Sequence, residues 1–263
     1  MKKIIALVLA MILVLMCLVA CNSDTQNTQS STTEKKNDET TKPVLKMATN
    51  AYFQPYEYYE NGKIVGIDAE IAAAIANYLG MDLVIEDMEF DTIITAVKEG
   101  SVDFGMAGMT VTEDRLLEIN FTNSYATGVQ SIIVKEGSEI DHVDDLFAEG
   151  ATYKVGVQLG TTGDIYASDD LGEDRVTQYN NGNNAVLALI GGDVDCVIID
   201  NEPAKALVAA NKGLTILETS YADEDYAICI AKGNAELLNK INEAIVALTK
   251  DGTIDAIVAK YIK

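Results

Sequence analysis

An internal repeat restricts what this chain can fold into. Residues 96–109 read AVKEGSVDFGMAGM and align without a gap to residues 188–201, ALIGGDVDCVIIDN. Both copies have the order of an apolar helix, a glycine turn, a short buried strand and a loop. The alignment places Gly108 opposite Asp200, each in the loop that ends its copy. The repeat therefore predicts two similar units with a site between them.

From residue 44 onward, short apolar runs alternate with helical patterns. This order is typical of an α/β fold in which helices flank mixed sheets. We expect lobe 1 to comprise residues 44–127 plus 225–263, and lobe 2 to comprise residues 128–224. The chain would then cross between the lobes twice, near residues 125–129 and 222–226, and these crossings are the predicted hinge.

Boundary signals mark the first helices of lobe 1. Asp68 is the expected N-cap of a helix over residues 68–79, and Gly80 supplies its C-terminal stop. Asp91 and Gly100 bracket the next predicted helix in the same way.

Residues 104–115, FGMAGMTVTEDR, join the end of a strand to the start of a helix. Thr112 followed by two acids is typical of a helix N-terminus. Such a place binds a carboxylate through backbone N–H groups, and the guanidinium of Arg115 can hold both carboxylate oxygens. Taken alone, the stretch is equally consistent with a surface helix in which Arg115 pairs with Glu113 or Glu118. The second copy of the pattern favours the site.

The first residues have the pattern of an export signal. Two lysines precede an almost wholly apolar run over residues 4–20, which stops at LVAC, ending in Cys21. A spanning helix needs about 20 apolar residues, so cleavage is favoured over a retained membrane anchor. LVAC resembles a bacterial lipobox, which implies removal of residues 1–20 and a lipid on Cys21. Residues 22–42 contain no apolar side chain that could enter a core, so residues 21–43 are predicted to be a flexible tether.

Charge and cysteine usage exclude several functions. The chain has 41 acidic and 19 basic residues, a formal net charge of −22, so nucleic acid is not an expected partner. Cys17 leaves with the signal and Cys21 is assigned to lipid, while Cys196 and Cys229 are expected to be buried free thiols in different lobes. His142 is the single histidine, and no metal-binding spacing occurs. Neither a metal nor another cofactor is therefore predicted.

Four segments carry a family resemblance: ATNAYFQPYEYYENGKIVGIDAEIAAAIANYLG, MEFDTIITAVKEGSVDFGMAGMTVTEDR, VGVQLGTTGD and VDCVIIDNEPA. Together they resemble the bacterial extracellular amino-acid-binding proteins that feed ABC importers, and the resemblance runs over residues 44–262. The GIDAEIAAAIA segment departs from the family pattern only at Ala69, where a larger aliphatic residue is typical. The resemblance implies a two-lobe hinged clamp of the periplasmic-binding-protein type II that closes on a free amino acid.

The resemblance also implies roles for four residues. Gly108 would accept from the ligand ammonium, Thr110 and Arg115 would hold its carboxylate, and Asp200 would pair with the ammonium from the other lobe. A zwitterion taken out of water needs both of its charges matched. The other implied contacts form the carboxylate end and the side-chain pocket: Asn50, Tyr52, Phe53, Phe90, Ala107, Gln158, Thr161 and Thr162, with Tyr56 near by.

Each of these assignments has a plainer alternative. The aromatic residues could be ordinary core residues, Gln158 could be a solvated turn residue, and Asp200 could be an N-cap.

For the ligand, the amide of Asn50 favours an uncharged polar side chain such as that of glutamine. Glu57, Asp87 or Asp91 could reach the pocket and reverse that preference, so a basic amino acid is the runner-up.

The predicted partners are a free amino acid, an ABC transporter permease and, through the lipid, the outer face of the cell membrane. We expect a monomer. An exported dehydratase-like enzyme on the same fold is the alternative from another class, but the sequence shows no general acid or base that binding leaves unexplained. A sensory module would need a membrane span after Lys263, where the given chain ends. We therefore predict a binding protein and not an enzyme.

Overall fold

The computed structural model describes residues 42–218 and 220–262. The predicted signal peptide, the lipidation site at Cys21 and the predicted tether as far as residue 41 lie outside the described residues.

The strands follow the alternation that the sequence predicts, with additional short strands between the longer ones. They are β1 (Val44–Thr49), β2 (Tyr52–Phe53), β3 (Glu57–Glu60), β4 (Lys63–Val65), β5 (Asp82–Asp87), β6 (Phe104–Gly105), β7 (Asn120–Phe121), β8 (Ala126–Lys135), β9 (Val155–Gln158), β10 (Val176–Tyr179), β11 (Cys196–Asp200), β12 (Leu214–Ile216), β13 (Ala222–Tyr226) and β14 (Cys229–Ile230).

The helices are α1 (Ile67–Tyr78), α2 (Ile93–Glu99), α3 (Glu113–Glu118), α4 (Thr162–Leu171), α5 (Gly182–Gly191), α6 (Asn201–Ala210), α7 (Ala235–Lys250) and α8 (Thr253–Tyr261). Short 3-10 helices cover Phe90–Thr92 and Val143–Phe147. The last long helix, α7, packs on α1 and buries Ile241, Ala244, Ile245 and Leu248.

Two mixed sheets and a small third sheet organise these elements. The first has five strands in the order β5-β1-β6-β14-β7, and the second has the order β10-β9-β11-β8-β12, with β13 paired to β8 as a sixth strand. A three-stranded sheet, β2-β3-β4, accompanies them. The flanking helices complete two α/β lobes, which confirms the predicted fold class.

The sequence repeat corresponds to the centre of each main sheet. Helix α2 ends at Gly100 and leads to β6, while α5 ends at Gly192 and leads to β11. Both glycines have positive φ, 74° and 88°, a conformation that favours glycine at a helix C-terminus. Because β6 and β11 are the middle strands of their sheets, the loops that follow them lie at equivalent places in the two lobes.

Two chain crossings connect the main sheets, and they pair with each other. Strand β8 follows β7 of the first sheet, and β13 precedes β14 of that sheet. The crossing strands are antiparallel, with Ala126 opposite Tyr226 and Gln130 opposite Ala222. Any rotation of one lobe against the other must therefore be accommodated by this strand pair.

One predicted boundary is wrong. Helix α1 begins at Ile67 after Gly66, and no side chain caps it. Asp68 instead points into the protein, where its Oδ2 accepts the Gly108 N–H at 2.9 Å and the Tyr125 hydroxyl at 2.8 Å. A carboxylate that is fully buried (0% exposed) is held there by long-range donors, which no local capping pattern reports.

The two cysteines of the described residues are free and buried, as predicted. Cys196 lies in the second sheet and Cys229 in the first. Burial raises the pKa of each thiol to about 12, so both remain protonated and unreactive.

Candidate functional site

A single pocket brings together eleven of the twelve predicted ligand contacts, all except Tyr52. Its lining contains one residue that was only an alternative from the sequence, Glu57. The full lining consists of Asn50, Phe53, Glu57, Phe90, Ala107, Gly108, Thr110, Arg115, Gln158, Thr161, Thr162 and Asp200.

Arg115 is not a surface helix residue. Thr112 caps α3 by accepting the Arg115 N–H at 3.2 Å, and the guanidinium is directed inward, leaving Arg115 7% exposed. It donates from Nη1 to the Thr110 carbonyl oxygen at 2.7 Å and lies over the Phe90 ring at 5.5 Å. The surface alternative is therefore wrong; Glu118 pairs with Lys98 instead.

Burial lowers the pKa of Arg115 from its usual value, and the charge of Glu224 opposes that shift. A guanidinium remains a cation in proteins, so the pocket contains a fixed positive charge.

Asp200 supplies a buried carboxyl group from the other sheet. It ends β11 and occupies the N-cap position of α6, but its side chain makes no capping hydrogen bond. Its Oδ2 accepts from Gln130 Nε2 at 2.7 Å, and its Oδ1 accepts from the Tyr226 hydroxyl. Asp200 is therefore the N-cap residue of α6 by position, as the alternative proposed, but its side chain lines the pocket and does not cap the helix. Burial and, next, the charge of Glu224 raise the pKa of Asp200 well above its ordinary value.

Contacts across the pocket join the two main sheets. Gln158, at the end of β9, donates from Nε2 to Oδ1 of Asn50, the residue that follows β1, at a distance of 3.0 Å. Arg115 Nη2 donates to the Gly160 carbonyl oxygen at 2.9 Å, and the hydroxyls of Thr110 and Thr162 lie 3.4 Å apart. These hydrogen bonds correspond to a closed arrangement of the strand ends around the pocket.

The glycine at position 108 is required by its surroundings. Its φ is 53°, and a Cβ built there would lie 2.7 Å from a ring carbon of Phe53. Its N–H is taken by Asp68. The close approach of the Phe53 ring is thus possible only because this loop has no side chain.

Two predicted neighbours of the pocket do not line it. Tyr52 is 47% exposed and packs edge-on against Tyr59. Tyr56 is 2% exposed and packs between the rings of Phe53 and Tyr226. Tyr56 is therefore a core residue, as the plainer alternative proposed.

The sequence reasoning missed a buried acid on the returning strand β13. Glu224 is 6% exposed, and its Oε2 accepts from Thr110 Oγ1 and Gln130 Nε2, both at 3.0 Å. Gln130 therefore bridges Glu224 and Asp200. No local pattern marks Glu224, because Thr110 lies 114 positions away in the sequence.

Glu57 is the only one of the three alternative acids that lines the pocket. Asp87 accepts from the Ala51 N–H at 2.9 Å and the Tyr59 hydroxyl at 3.2 Å. Glu57 is fully buried, and no backbone, amide or hydroxyl group of the described residues donates to its oxygens; its hydrogen-bond neighbour is the carboxyl group of Asp68. Burial first, and then the charge of Asp68, raise its pKa well above the ordinary value.

Metal binding and a membrane span have no structural basis within residues 42–218 and 220–262. No group of His, Cys, Asp and Glu side chains there could hold a metal ion. None of the helices in this part of the chain is long and apolar enough to cross a membrane.

The fold and the pocket together define a class: a two-lobe α/β binding protein with opposite buried charges at the strand ends of its two sheets. The chain matches the bacterial extracellular solute-binding proteins, family 3, over residues 45–263, and it belongs to that family. It is 30% identical over 271 residues to the ABC transporter glutamine-binding protein GlnH of Bacillus subtilis (strain 168), covering 100% of this chain and 98% of that protein.

Solved structures give the same picture. An ancestral arginine-binding protein superposes with a TM-score of 0.78 and 39% identity, both in its glutamine-bound form (83% of this chain, 97% of that one) and in its arginine-bound form (84% and 98%). The ancestral amino-acid-binding protein AncCDT-1, a precursor of cyclohexadienyl dehydratase, has a TM-score of 0.76 and 31% identity, covering 84% of this chain and 96% of that one.

Proposed function

We propose that this chain is the extracytoplasmic substrate-binding subunit of an amino-acid ABC importer, and that it binds a free polar amino acid between its two lobes. The observation that carries the proposal is the presence of buried Arg115 and buried Asp200 in one pocket. Membership of the solute-binding family and the similarity to GlnH support it.

The zwitterionic part of the ligand fits these two charges. The ligand carboxylate would receive the guanidinium of Arg115, the hydroxyl of Thr110 and the N-terminus of α4, where Thr161 and Thr162 begin the helix. The ligand ammonium would donate to Asp200 and to the carbonyl oxygen of Gly108. Each ligand charge thereby leaves water for an opposite charge, which its burial requires.

Two candidates remain for the ligand side chain. Phe53 and Phe90 line the pocket and suit an aliphatic stem, and the amide of Asn50 suits an uncharged polar end such as that of glutamine. A basic amino acid is the second candidate, because Glu57 adds a carboxyl group without a counter-charge to the same lining.

Calorimetric titration of the purified protein with glutamine, arginine and lysine tests both points. Saturable one-to-one binding of an amino acid is the expected result, and the absence of binding to any common amino acid would refute the proposed function. Arginine or lysine affinity at least tenfold higher than that of glutamine, about 1.4 kcal/mol, would refute the preference for an uncharged side chain.

The protein acts by binding and not by catalysis in this proposal. Glu57 is the carboxyl group of the lining that the ammonium and carboxylate roles leave unused, and the proposal assigns it to the side chain of the ligand. AncCDT-1, described as a precursor of a dehydratase, makes the enzymatic alternative worth testing directly. Incubation with prephenate-like acids should give no product, and steady turnover would overturn the assignment.

The anchoring is also part of the proposal. LVAC before residue 22 supports a lipid on Cys21, with the folded body at the outer face of the cell membrane beside its permease. Buried lipid contributes about 0.8 kcal/mol per methylene, so Cys21→Ala should move the processed protein from the membrane fraction to the soluble fraction. Membrane association that survives this substitution would contradict the lipid anchor.

The hinge would lie in the paired strands β8 and β13, between residues 44–127 plus 225–263 on one side and residues 128–224 on the other. We propose that the protein works as a monomer, because one chain supplies every residue of the pocket.

A further inference from the structure

Glu57 is the one ionisable side chain of the pocket lining whose hydrogen-bond neighbour within the described residues is another acid, Asp68. No backbone, amide or hydroxyl group of the described residues donates to either of its buried oxygens, although the residue lines the space in which the ligand would lie. The other ionisable side chains of the lining have partners: Arg115 donates to Thr110 and Gly160, and Asp200 accepts from Gln130. Because buried polar groups are normally hydrogen-bonded, Glu57 is suited to a group that the ligand brings.

The surroundings of Glu57 determine its protonation state. It faces Asp68 on α1, Asp87 at the end of β5 and Asp200 at the end of β11, and Tyr125 before β8 is also close. These neighbours are acids or a neutral phenol, so they disfavour a second negative charge. Asp68 uses its Oδ2 for the Gly108 N–H and the Tyr125 hydroxyl, so Glu57 is the partner of this pair that retains a proton.

Resting on the proposed function, we propose that Glu57 makes the selectivity of the pocket proton-dependent. An uncharged amide end of the ligand binds while the Glu57 carboxyl keeps its proton in the hydrogen bond to Asp68, and the other oxygen of Glu57 accepts an N–H of the amide. A guanidinium or ammonium end binds only when the Glu57 O–H bond breaks: the proton leaves to the solvent buffer, and the carboxylate accepts N–H donors of the cation. One proton is exchanged for one positive charge.

This inference has a measurable consequence in the ratio of two affinities. Arginine and glutamine have the same α-ammonium and α-carboxylate, so the contributions of Arg115 and Asp200 cancel in the ratio. Binding that releases one proton strengthens by up to tenfold per pH unit while Glu57 is protonated in the free protein. The affinity for arginine relative to glutamine should therefore rise by up to tenfold per pH unit below the pKa of Glu57.

The experiment is calorimetry of arginine and glutamine binding at pH 5.5, 6.5, 7.5 and 8.5, in two buffers with different heats of ionisation. The difference between buffers counts the protons released. Glu57→Gln keeps the size of the side chain but cannot ionise, and the matched control is Glu60→Gln, which removes the same charge from an exposed position of β3.

In the unmodified protein, arginine binding should release close to one proton more than glutamine binding does. Glu57→Gln should make the affinity ratio independent of pH and weaken arginine at pH 8.5 at least tenfold more than glutamine, while Glu60→Gln should behave as the unmodified protein. Arginine binding that releases no more protons than glutamine binding, no arginine binding at pH 8.5 alongside normal glutamine binding, or a pH-dependent ratio that persists in Glu57→Gln would each overturn the inference. The proton count in the unmodified protein decides the matter if the variant does not fold. If neither amino acid bound to the unmodified protein, the proposed function itself would be refuted.

Discussion

Replacing Arg115 with alanine tests the site most directly, because the side chain combines three interactions in one buried place. The substitution removes two hydrogen bonds from a cation, at 2.7 Å and 2.9 Å, and the contact with the Phe90 ring. In the liganded protein it would also leave the ligand carboxylate buried without its counter-charge. Truncating one partner of such a pair typically costs about 2–5 kcal/mol. We expect amino-acid affinity to fall by roughly 30-fold to 4,000-fold, since 1.4 kcal/mol corresponds to a factor of ten.

The chain supplies its own control for this substitution. Arg175 is the only other arginine, and it also donates to two backbone carbonyl oxygens, those of Tyr153 at 3.0 Å and Leu146 at 2.9 Å. It does not line the pocket. Arg175→Ala should therefore cost a similar number of hydrogen bonds while leaving affinity within about twofold, because only the interactions with the ligand differ between the two variants.

Urea unfolding and calorimetry on both variants separate the two effects. Each variant should unfold cooperatively, and only Arg115→Ala should lose binding. Arg115→Lys should recover part of the affinity, since a lysine keeps the charge but lacks the planar fork. The carboxylate assignment is refuted if folded Arg115→Ala binds with near-normal affinity, or if Arg175→Ala weakens binding equally.

Three further expectations follow from the same geometry. Asp200→Asn should weaken binding by a factor comparable to Arg115→Ala, because the ammonium loses its counter-charge, and calorimetry showing unchanged affinity would contradict the role. Saturating ligand should reduce the radius of gyration in small-angle scattering, because a ligand that contacts both lobes favours the closed form; an unchanged radius would count against the hinge. Asp68→Asn should raise stability at pH 7.5 but not at pH 4. Burial raises the pKa of Asp68 from 3.8 to about 6, so the folded state favours the protonated side chain. The contribution of this protonation to the free energy of unfolding is fully present below pH 4 and is lost as pH rises through 6. An asparagine escapes that loss of at most about 3 kcal/mol, which urea unfolding at the two pH values would detect.

Local sequence signals located much of the pocket because they act over a few residues. The strand-to-helix transition after β6 carries Thr112 as its cap and Arg115 in the first turn, and both are readable from spacing alone. The repeat then paired this loop with the one that holds Asp200. A central strand of each sheet ends at the same edge of its lobe, so the two loops meet in space.

The hairpin formed by β3 and β4 has a local sequence signal at its turn. Asn61 and Gly62 both have positive φ, 51° and 75°, and they connect β3 to β4. An Asn-Gly pair between alternating residues is the strongest short-range signal for a hairpin. This pair predicts a hairpin whose first strand contains Glu57.

Other features could not be read locally, because long-range contacts determine them. Asp68 has the residue type and the position of an N-cap, but the Gly108 N–H, 40 positions away, draws its carboxylate inward. Glu224 lies among exposed acids in the sequence DED, and only the pairing of β13 with β8 reveals that it is buried. Sequence patterns assign acidic residues to the surface, so they fail for those acids that long-range contacts bury.

The balance of charges in the pocket leads to one last argument about the ligand. Arg115 is the only base in the lining, and Glu57 and Asp200 are its acids. A bound zwitterion brings one positive and one negative charge, which Asp200 and Arg115 match. Glu57 remains, and a fully buried carboxylate without a counter-charge is strongly disfavoured. The charges of the pocket balance only with one further positive charge, which must be either a proton on Glu57 or a cationic end of the ligand side chain. The identity of the amino acid and the protonation of Glu57 are therefore a single question, and each decides the other.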